Sequence, residues 1–298
     1  MKNDSPLILG TAQLGLPYGI GNKTGQPNKR LARNIIQTAW ECGIREFDTG
    51  QAYGTSEEVL GEAFKNLSIS QSVKAISKPH PDLDHLNPAK MLQALEGTLT
   101  KLGQETLYCY MLHREEFLDA WERGLGDLLK KFLSKNLIKT IGVSVYSPDK
   151  ALQALKTKDI TVIQLPTNIL DRRFERAGVF DLAERLGKTV HIRSAYLQGL
   201  ILMDPNKLPE KLKFASAVLC DLEHFASDAQ ISKKELAIGY LKATKPHAKI
   251  VIGAELPHQI LENCTIWEKD FSADFCRQVK SHFSSVNEKI LTPNLWNL

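Results

Sequence analysis

Eight short runs of β-branched or apolar residues recur along this chain, at Leu7–Gly10, Arg45–Asp48, Val73–Ser77, Leu107–Leu112, Lys139–Ser144, Thr161–Leu165, Thr189–Arg193 and Ile250–Ile252. Each is followed by a stretch with helical spacing of its apolar residues. A strand followed by a helix rejoins its sheet through a right-handed crossover, so this alternation predicts a parallel sheet. Eight such units are the number that closes a barrel. The expected fold class is therefore α/β, a (β/α)8 TIM barrel with a C-terminal helical extension and tail, and a doubly wound open sheet is its structural rival. In the first helix Leu31, Ile35, Ala39 and Trp40 share one face, Asn28 is placed to cap the start, and Gly43 is placed to end it in the left-handed conformation.

Length leaves room for one large barrel or two average domains, but no Pro/Gly/Ser-rich linker or internal repeat divides the 298 residues, and a single domain over 1–298 is the simpler expectation. With 43% hydrophobic and 24% charged residues the chain can bury a sizeable core. Its 38 basic and 34 acidic side chains are interspersed, which argues against a nucleic-acid partner. The densest basic stretch, Lys130, Lys131, Lys135 and Lys139, alternates with Leu128, Leu129, Phe132, Leu133, Leu137 and Ile138 and reads as the wet side of an amphipathic helix. The start, Met1 to Pro6, lacks an apolar segment behind a basic one, and no window approaches the length of a membrane span, so neither secretion nor membrane insertion is expected. Five widely spaced cysteines without a C-x-x-C pair fit reduced thiols in a cytoplasm.

In a barrel of this kind reactive groups stand where strands give way to loops at the C-terminal face. Asp48 ends the second strand, Tyr53 follows in its loop, Lys78 ends the third and His113 ends the fourth. Taken singly, each has an ordinary structural explanation: a turn cap, a packing ring, a solvated cation, a satisfied histidine. Jointly they make chemical sense, because a phenol with a pKa of about 10 is a weak acid at neutral pH until a neighbouring cation favours its phenolate. Lys78 supplies such a cation and Asp48 can hold it.

The same residues lie in a recognisable set of motifs: G-T-A-Q-L-G at Gly10–Gly15, F-D-T-G-Q-A-Y-G-T-S-E-E-V-L-G at Phe47–Gly61, S-K-P at Ser77–Pro79 and L-H at Leu112–His113. In these the chain resembles the aldo-keto reductases from end to end. The resemblance implies a catalytic group of Asp48, Tyr53, Lys78 and His113, in which Tyr53 protonates the carbonyl oxygen, His113 orients it, Lys78 lowers the pKa of Tyr53 and Asp48 positions Lys78. It also implies a nicotinamide cofactor that delivers hydride from its C4 to a small carbonyl substrate.

For the cofactor, the resemblance points to Gly10, Thr11 and Ala12 after the first strand, to Asp48, and to Ser144 and Gln164 as holders of the carboxamide. Tyr196 is expected to stack on the nicotinamide, with Leu197, Gln198, Gly199 and Leu200 beside it. Val145 stands where many relatives have asparagine, so one carboxamide bond is missing from the pattern. After the eighth strand Gly253 and Ala254 open a helix whose amides are suited to a phosphate, with Gln259 nearby and Glu262 and Asn263 as the adenine contacts. NADP is the expected cofactor by family habit. NAD is the alternative, because Glu255 and Gln259 stand where NADPH-specific relatives carry Lys or Arg.

Other motifs fail. The glycines at 10, 15, 19, 21 and 25 do not form G-x-G-x-x-G, no P-loop or G-x-S-x-G elbow occurs, and no H-E-x-x-H or similar spacing offers a metal site. Two further functions stay open at this level: a barrel lyase using Lys78 as a Schiff base, and a nucleotide-binding sensor or scaffold subunit without turnover. Gln13, Tyr18, the stretch after His113, the Leu200–Leu212 loop and Trp296 are the candidates for shaping a substrate pocket, and packing is the simpler role for Trp296. Substrate identity and oligomeric state are not readable.

Overall fold

The computed structural model describes residues 4–22 and 24–296. Its sheet is a closed parallel barrel of strands β1 (Leu7–Gly10), β2 (Glu46–Asp48), β3 (Lys74–Ser77), β4 (Leu107–Leu112), β5 (Ile138–Ser144), β6 (Ile160–Pro166), β7 (Thr189–Arg193) and β8 (Lys249–Ile252) in sequence order. Because β1 pairs with both β2 and β8, the sheet has no edge, which rules out the open-sheet rival. The expected strands are all present and differ by a residue at several ends. Arg45, for example, lies just outside β2, although its carbonyl still accepts from the Lys74 N–H at 2.8 Å.

The helix Lys29–Glu41 forms as its spacing predicts. Asn28 accepts from the Leu31 N–H at 2.9 Å, and Ala32, Ile35, Ile36 and Ala39 are buried against the barrel. Gly43 follows at φ +88°, a conformation glycine adopts without strain. The basic stretch falls on the helix Leu125–Ser134 and the turn after it, except that Lys139 already lies in β5, with Lys130 and Lys131 exposed and Leu128, Leu129 and Phe132 buried.

The two-residue period of a strand sorts its side chains between the helices and the barrel interior. Phe47 points outward and meets Phe64 edge-on, 5.0 Å between ring centroids. The inward set builds layers. At the floor Glu46 meets Lys249 and lies 3.7 Å from His191, whose imidazole burial pushes down to about 3. Above it Ile8, Ile76, Cys109, Met111 and Val162 form an apolar plug. One inward position further along each strand lies the mouth, which receives Gly10, Asp48, Lys78, His113, Ser144, Gln164, Arg193 and Gly253.

Beyond β8 come the helices Pro257–Glu268 and Ala273–His282 and a short C-terminal segment. The helix Ala273–His282 and that segment are tied to the β6 side of the barrel by Lys280–Glu175 at 2.5 Å and Arg173–Glu288 at 3.5 Å, respectively. Trp296 is buried and its indole N–H donates to the Lys289 carbonyl at 2.8 Å, so it is a packing residue. Residues 297 and 298 of the expected tail lie outside the described residues. No described helix is long and apolar enough to cross a membrane.

Candidate active site

The long motif at Phe47–Gly61 turns out to be the scaffold of one tyrosine. The Thr49 hydroxyl donates to Ser56 Oγ at 3.0 Å, and Ser56 in turn donates to the Thr11 carbonyl at 3.0 Å, so the β1 and β2 loops are tied together. Glu57 is buried and accepts from the hydroxyls of Ser77 (2.6 Å) and Thr98 (2.9 Å), anchoring the helix Ser56–Asn66 to β3. Two glycines let the loops touch. A side chain at Gly15 would run into the Tyr53 carbonyl oxygen, and one at Gly54, which has φ +57°, would run into the Gly15 carbonyl. Gly15→Ala should therefore destabilise the protein by about 1–3 kcal/mol through overpacking. It should also lower turnover more than cofactor affinity, because it displaces Tyr53. Thermal denaturation and steady-state kinetics of the variant check both effects.

Tyr53 is half-buried in the mouth. Lys78 Nζ lies 5.2 Å from its ring centroid, and the His113 ring meets it edge-on at 5.8 Å. Lys78 is itself buried and donates to Asp48 Oδ1 at 2.7 Å and to the Thr49 carbonyl at 3.0 Å. The other Asp48 oxygen accepts from Gln164 Nε2 at 2.8 Å, which turns a pair into a network of strand ends. All four expected residues are thus brought together.

Burial works against the Lys78 charge, but Asp48 and Tyr53 beside it outweigh that and raise its pKa above the usual lysine value. Burial raises the Tyr53 pKa as well, with Lys78 pulling it the other way. The expected lowering by Lys78 is present as a contribution, but desolvation wins, so the resting phenol is a weaker acid than free tyrosine. Burial, reinforced by the nearby Lys78 charge, pushes His113 down to about 4 and leaves its ring neutral at pH 7.

A cavity of about 670 Å³ opens from Asp48 and Tyr53 along the β1, β7 and β8 loops. Of the residues expected to hold a cofactor, Gly10, Thr11, Ala12, Gln164, Tyr196, Gln198, Gly199, Gly253, Ala254, Gln259 and Asn263 line it. Ser144 is buried beside Gln164 on the inward side of the β5–β6 register and is not among the residues that line this cavity. Leu197 and Leu200 are core residues and do not face the cavity; they fix a strained turn in which Leu197, Gln198 and Gly199 all have positive φ.

Three expectations change. The Tyr196 hydroxyl donates to Asn263 Oδ1, so this ring is anchored to the helix Pro257–Glu268 across the cavity wall. Two of the amides leading into the helix Pro257–Glu268 are already taken, because Gln259 Oε1 accepts from the N–H groups of Glu255 (2.7 Å) and Leu256 (3.2 Å). Glu262 is paired with Lys234 and does not line the cavity. Gln13, Tyr18 and the Leu202–Asp204 part of the β7 loop do line it, whereas Trp296 does not.

Sequence reasoning passed over three cations of the cavity wall: Arg193, Lys207 and Lys234. Arg193 was within reach of the same rule that found Asp48 and Lys78, since it is the polar last residue of a predicted strand. Lys207 and Lys234 carry no comparable local signal. Among the described residues no cluster of His, Cys, Asp or Glu is placed to hold a metal ion.

Comparison with known proteins agrees with this architecture. The family model described as Aldo/keto reductase family matches residues 6–283. The chain is 27% identical over 218 residues to aldo-keto reductase YhdN of Bacillus subtilis (strain 168), covering 70% of this chain and 63% of that protein. It is 23% identical over 273 residues to the NADH-specific methylglyoxal reductase of Escherichia coli (strain K12), covering 80% and 83%. The matched region spans between about half and two thirds of the length of several of these curated relatives. Among solved structures, the holo form of an aldo-keto reductase from Bacillus halodurans superposes with a TM-score of 0.76 at 22% identity, covering 97% of this chain and 96% of that one. An aldo/keto reductase from Klebsiella pneumoniae, solved with NADP and acetate, gives 0.73 at 18% identity, with 95% and 93% covered. With its barrel, its signature turn and a family match over nearly its whole length, the chain belongs to the aldo/keto reductase family.

Proposed function

We propose that this protein is a nicotinamide-dependent oxidoreductase that reduces the carbonyl of a small aldehyde, ketone or sugar, with Tyr53 as general acid. The observation that carries this reading is the buried Lys78–Asp48 pair held against the Tyr53 ring, which keeps a positive charge where a phenolate would form. When bound, the cofactor supplies a hydride from its C4 to the carbonyl carbon. Tyr53 Oη gives its proton to the carbonyl oxygen, and Lys78 stabilises the phenolate left behind. Because burial raises the resting pKa of Tyr53, that proton stays in place through the neutral range. Neutral His113 offers the oxygen an N–H and no charge, a role it keeps above about pH 4. Asp48, held by Gln164, keeps Lys78 protonated.

A dinucleotide fits the residues present. The cavity is within the range of about 300–1,000 Å³ common for small-molecule sites, and at Gly10 and Gly253 its wall carries no side chains. Ser144 and Gln164 would meet the carboxamide, and Asn263 with Tyr196 would meet the adenosine end. The raised pKa of Lys78 speaks against the Schiff-base lyase, which needs a neutral amine. The wide spacing of the five cysteines, without a C-x-x-C pair, fits a reducing compartment such as the cytoplasm. The direct test is oxidation of NADPH and NADH against a panel of aldehydes, ketones and sugars. Dinucleotide binding with no turnover on any of them would replace the reductase by a binding-only subunit.

For the cofactor we infer NADP(H), with NAD(H) as the alternative. The E. coli relative is named NADH-specific and the Klebsiella structure holds NADP, so the family accommodates both. In this cavity Lys207, paired with Asp204 at 3.2 Å, and Lys234, paired with Glu262, are the cations that a 2′-phosphate would draw on, and Glu255 opposes it. A carboxylate about 4 Å from a phosphate charge costs about 4 kcal/mol at an effective dielectric of 20, before salt and side-chain rotation reduce it. Glu255→Arg should then shift the kcat/KM ratio toward NADPH by about tenfold or more, and Lys234→Ala should shift it toward NADH. Unchanged ratios in both variants would mean that another part of the wall reads the ribose.

A further inference from the structure

Arg193 is a cation in the mouth of the barrel for which the reaction above has no use. It is two residues beyond His191 on β7, on the same inward side of the strand, and it lines the cavity together with Asp48, Tyr53 and Gln164. Its guanidinium lies 4.2 Å from the centroid of the Tyr146 ring. One N–H group makes a long bond of 3.4 Å to the Val145 carbonyl. Among the described residues no carboxylate pairs with it: Asp48, which lines the same cavity, is occupied by Lys78 and Gln164. Its orientation is set from behind, because Glu115 Oε2 accepts from the backbone N–H groups of Tyr146 (2.6 Å) and Ser147 (3.0 Å) and so holds the ring under the guanidinium. It shares the cavity wall with Tyr53, and its charge acts on both Tyr53 and His113.

A guanidinium has five N–H donors in a planar fork that matches a carboxylate or a phosphate. Here one face is covered by an aromatic ring, one donor is loosely engaged and the remainder are without an acidic partner beside the proton donor. We infer that Arg193 is an anion-binding residue of the substrate pocket, and that the preferred substrates are aldehydes or ketones bearing a carboxylate or a phosphate group. The inference rests on the reductase reading for the word substrate, but not for the binding of the anion.

Two measurements separate these. In the first, kcat/KM is compared for oxo acids of increasing chain length against their neutral amides, and for a phosphorylated hydroxyaldehyde against the free one, in wild type, Arg193→Lys and Arg193→Met. The wild type should prefer the anionic member of at least one pair. Arg193→Met should lower that preference by about ten- to a hundredfold, the range for losing a hydrogen bond to a charged group, and Arg193→Lys should restore part of it. Which pair responds distinguishes carboxylate from phosphate. In the second, a saturated carboxylic acid and inorganic phosphate are titrated calorimetrically into wild type and Arg193→Met, with and without NADP(H). Loss of binding in the variant supports the anion site even if no carbonyl is turned over. Equal losses for charged and neutral substrates together with weaker dinucleotide binding would overturn the inference and make Arg193 a cofactor contact, and anion binding indifferent to the substitution would overturn it as well.

Discussion

Replacing Tyr53 by Phe is expected to lower carbonyl reduction by about 10²–10⁴-fold, the contribution typical of a general acid, while dinucleotide affinity and thermal stability stay close to wild type. The substitution removes one oxygen and leaves the ring in its edge-on contact with His113, 5.8 Å between centroids. The turn that carries the ring is held by Thr11, Thr49, Ser56 and the Gly15–Gly54 contact, none of which involves the hydroxyl. Fluorescence titration with NADPH and NADH, a melting curve and steady-state kinetics on the same preparation give the three quantities. Turnover near wild type would remove Tyr53 from the mechanism and leave the cluster without an assigned proton donor.

The second large effect concerns Lys78 and has two separable parts. Lys78 and Asp48 are both buried and share a 2.7 Å ion pair, so removing either partner strands the other's charge. Lys78→Met and Asp48→Asn should each cost about 3–5 kcal/mol of stability at most, since a stranded buried charge is what makes a broken pair so unfavourable. The double variant should be more stable than the sum of the two losses implies, because it leaves no unpaired ion. Activity should not recover with stability. Without the ammonium the main charge that opposes the effect of burial on Tyr53 is gone, and without Asp48 the ammonium loses the partner that holds it, so kcat should stay low in all three variants and residual activity should move in its pH dependence. Chemical denaturation of the four proteins and a pH profile of each decide the matter. Full activity with an unchanged profile in Lys78→Met would break the assigned coupling.

Much of this molecule is written locally. The eight strands and the helices between them follow from apolar periodicity and from caps such as Asn28 and Gly43, and each depends on neighbours a few residues away. Asp48, Tyr53, Lys78 and His113 could be picked out because strand ends converge in a barrel, so a position along the chain becomes a position in space once the fold class is known. The motif around Tyr53 was legible as a pattern, but its physical content, loops pressed together at Gly15 and Gly54, required the fold.

What only the tertiary structure decided is which polar groups are already satisfied. Asp48 is shared by Lys78 and Gln164, the latter 116 residues away. Two of the amides that looked ready for a phosphate, those of Glu255 and Leu256, are capped by Gln259. The Tyr196 ring is drawn to Asn263. Arg193, a strand-end cation like Lys78 in the sequence, is left without an acidic partner among the described residues of the barrel mouth. Periodicity and capping act over a few residues and survive in the one-dimensional record. Electrostatic pairing and desolvation act through space between strands brought together only by barrel closure, and they set the charge, the proton and the open hydrogen bonds of the site.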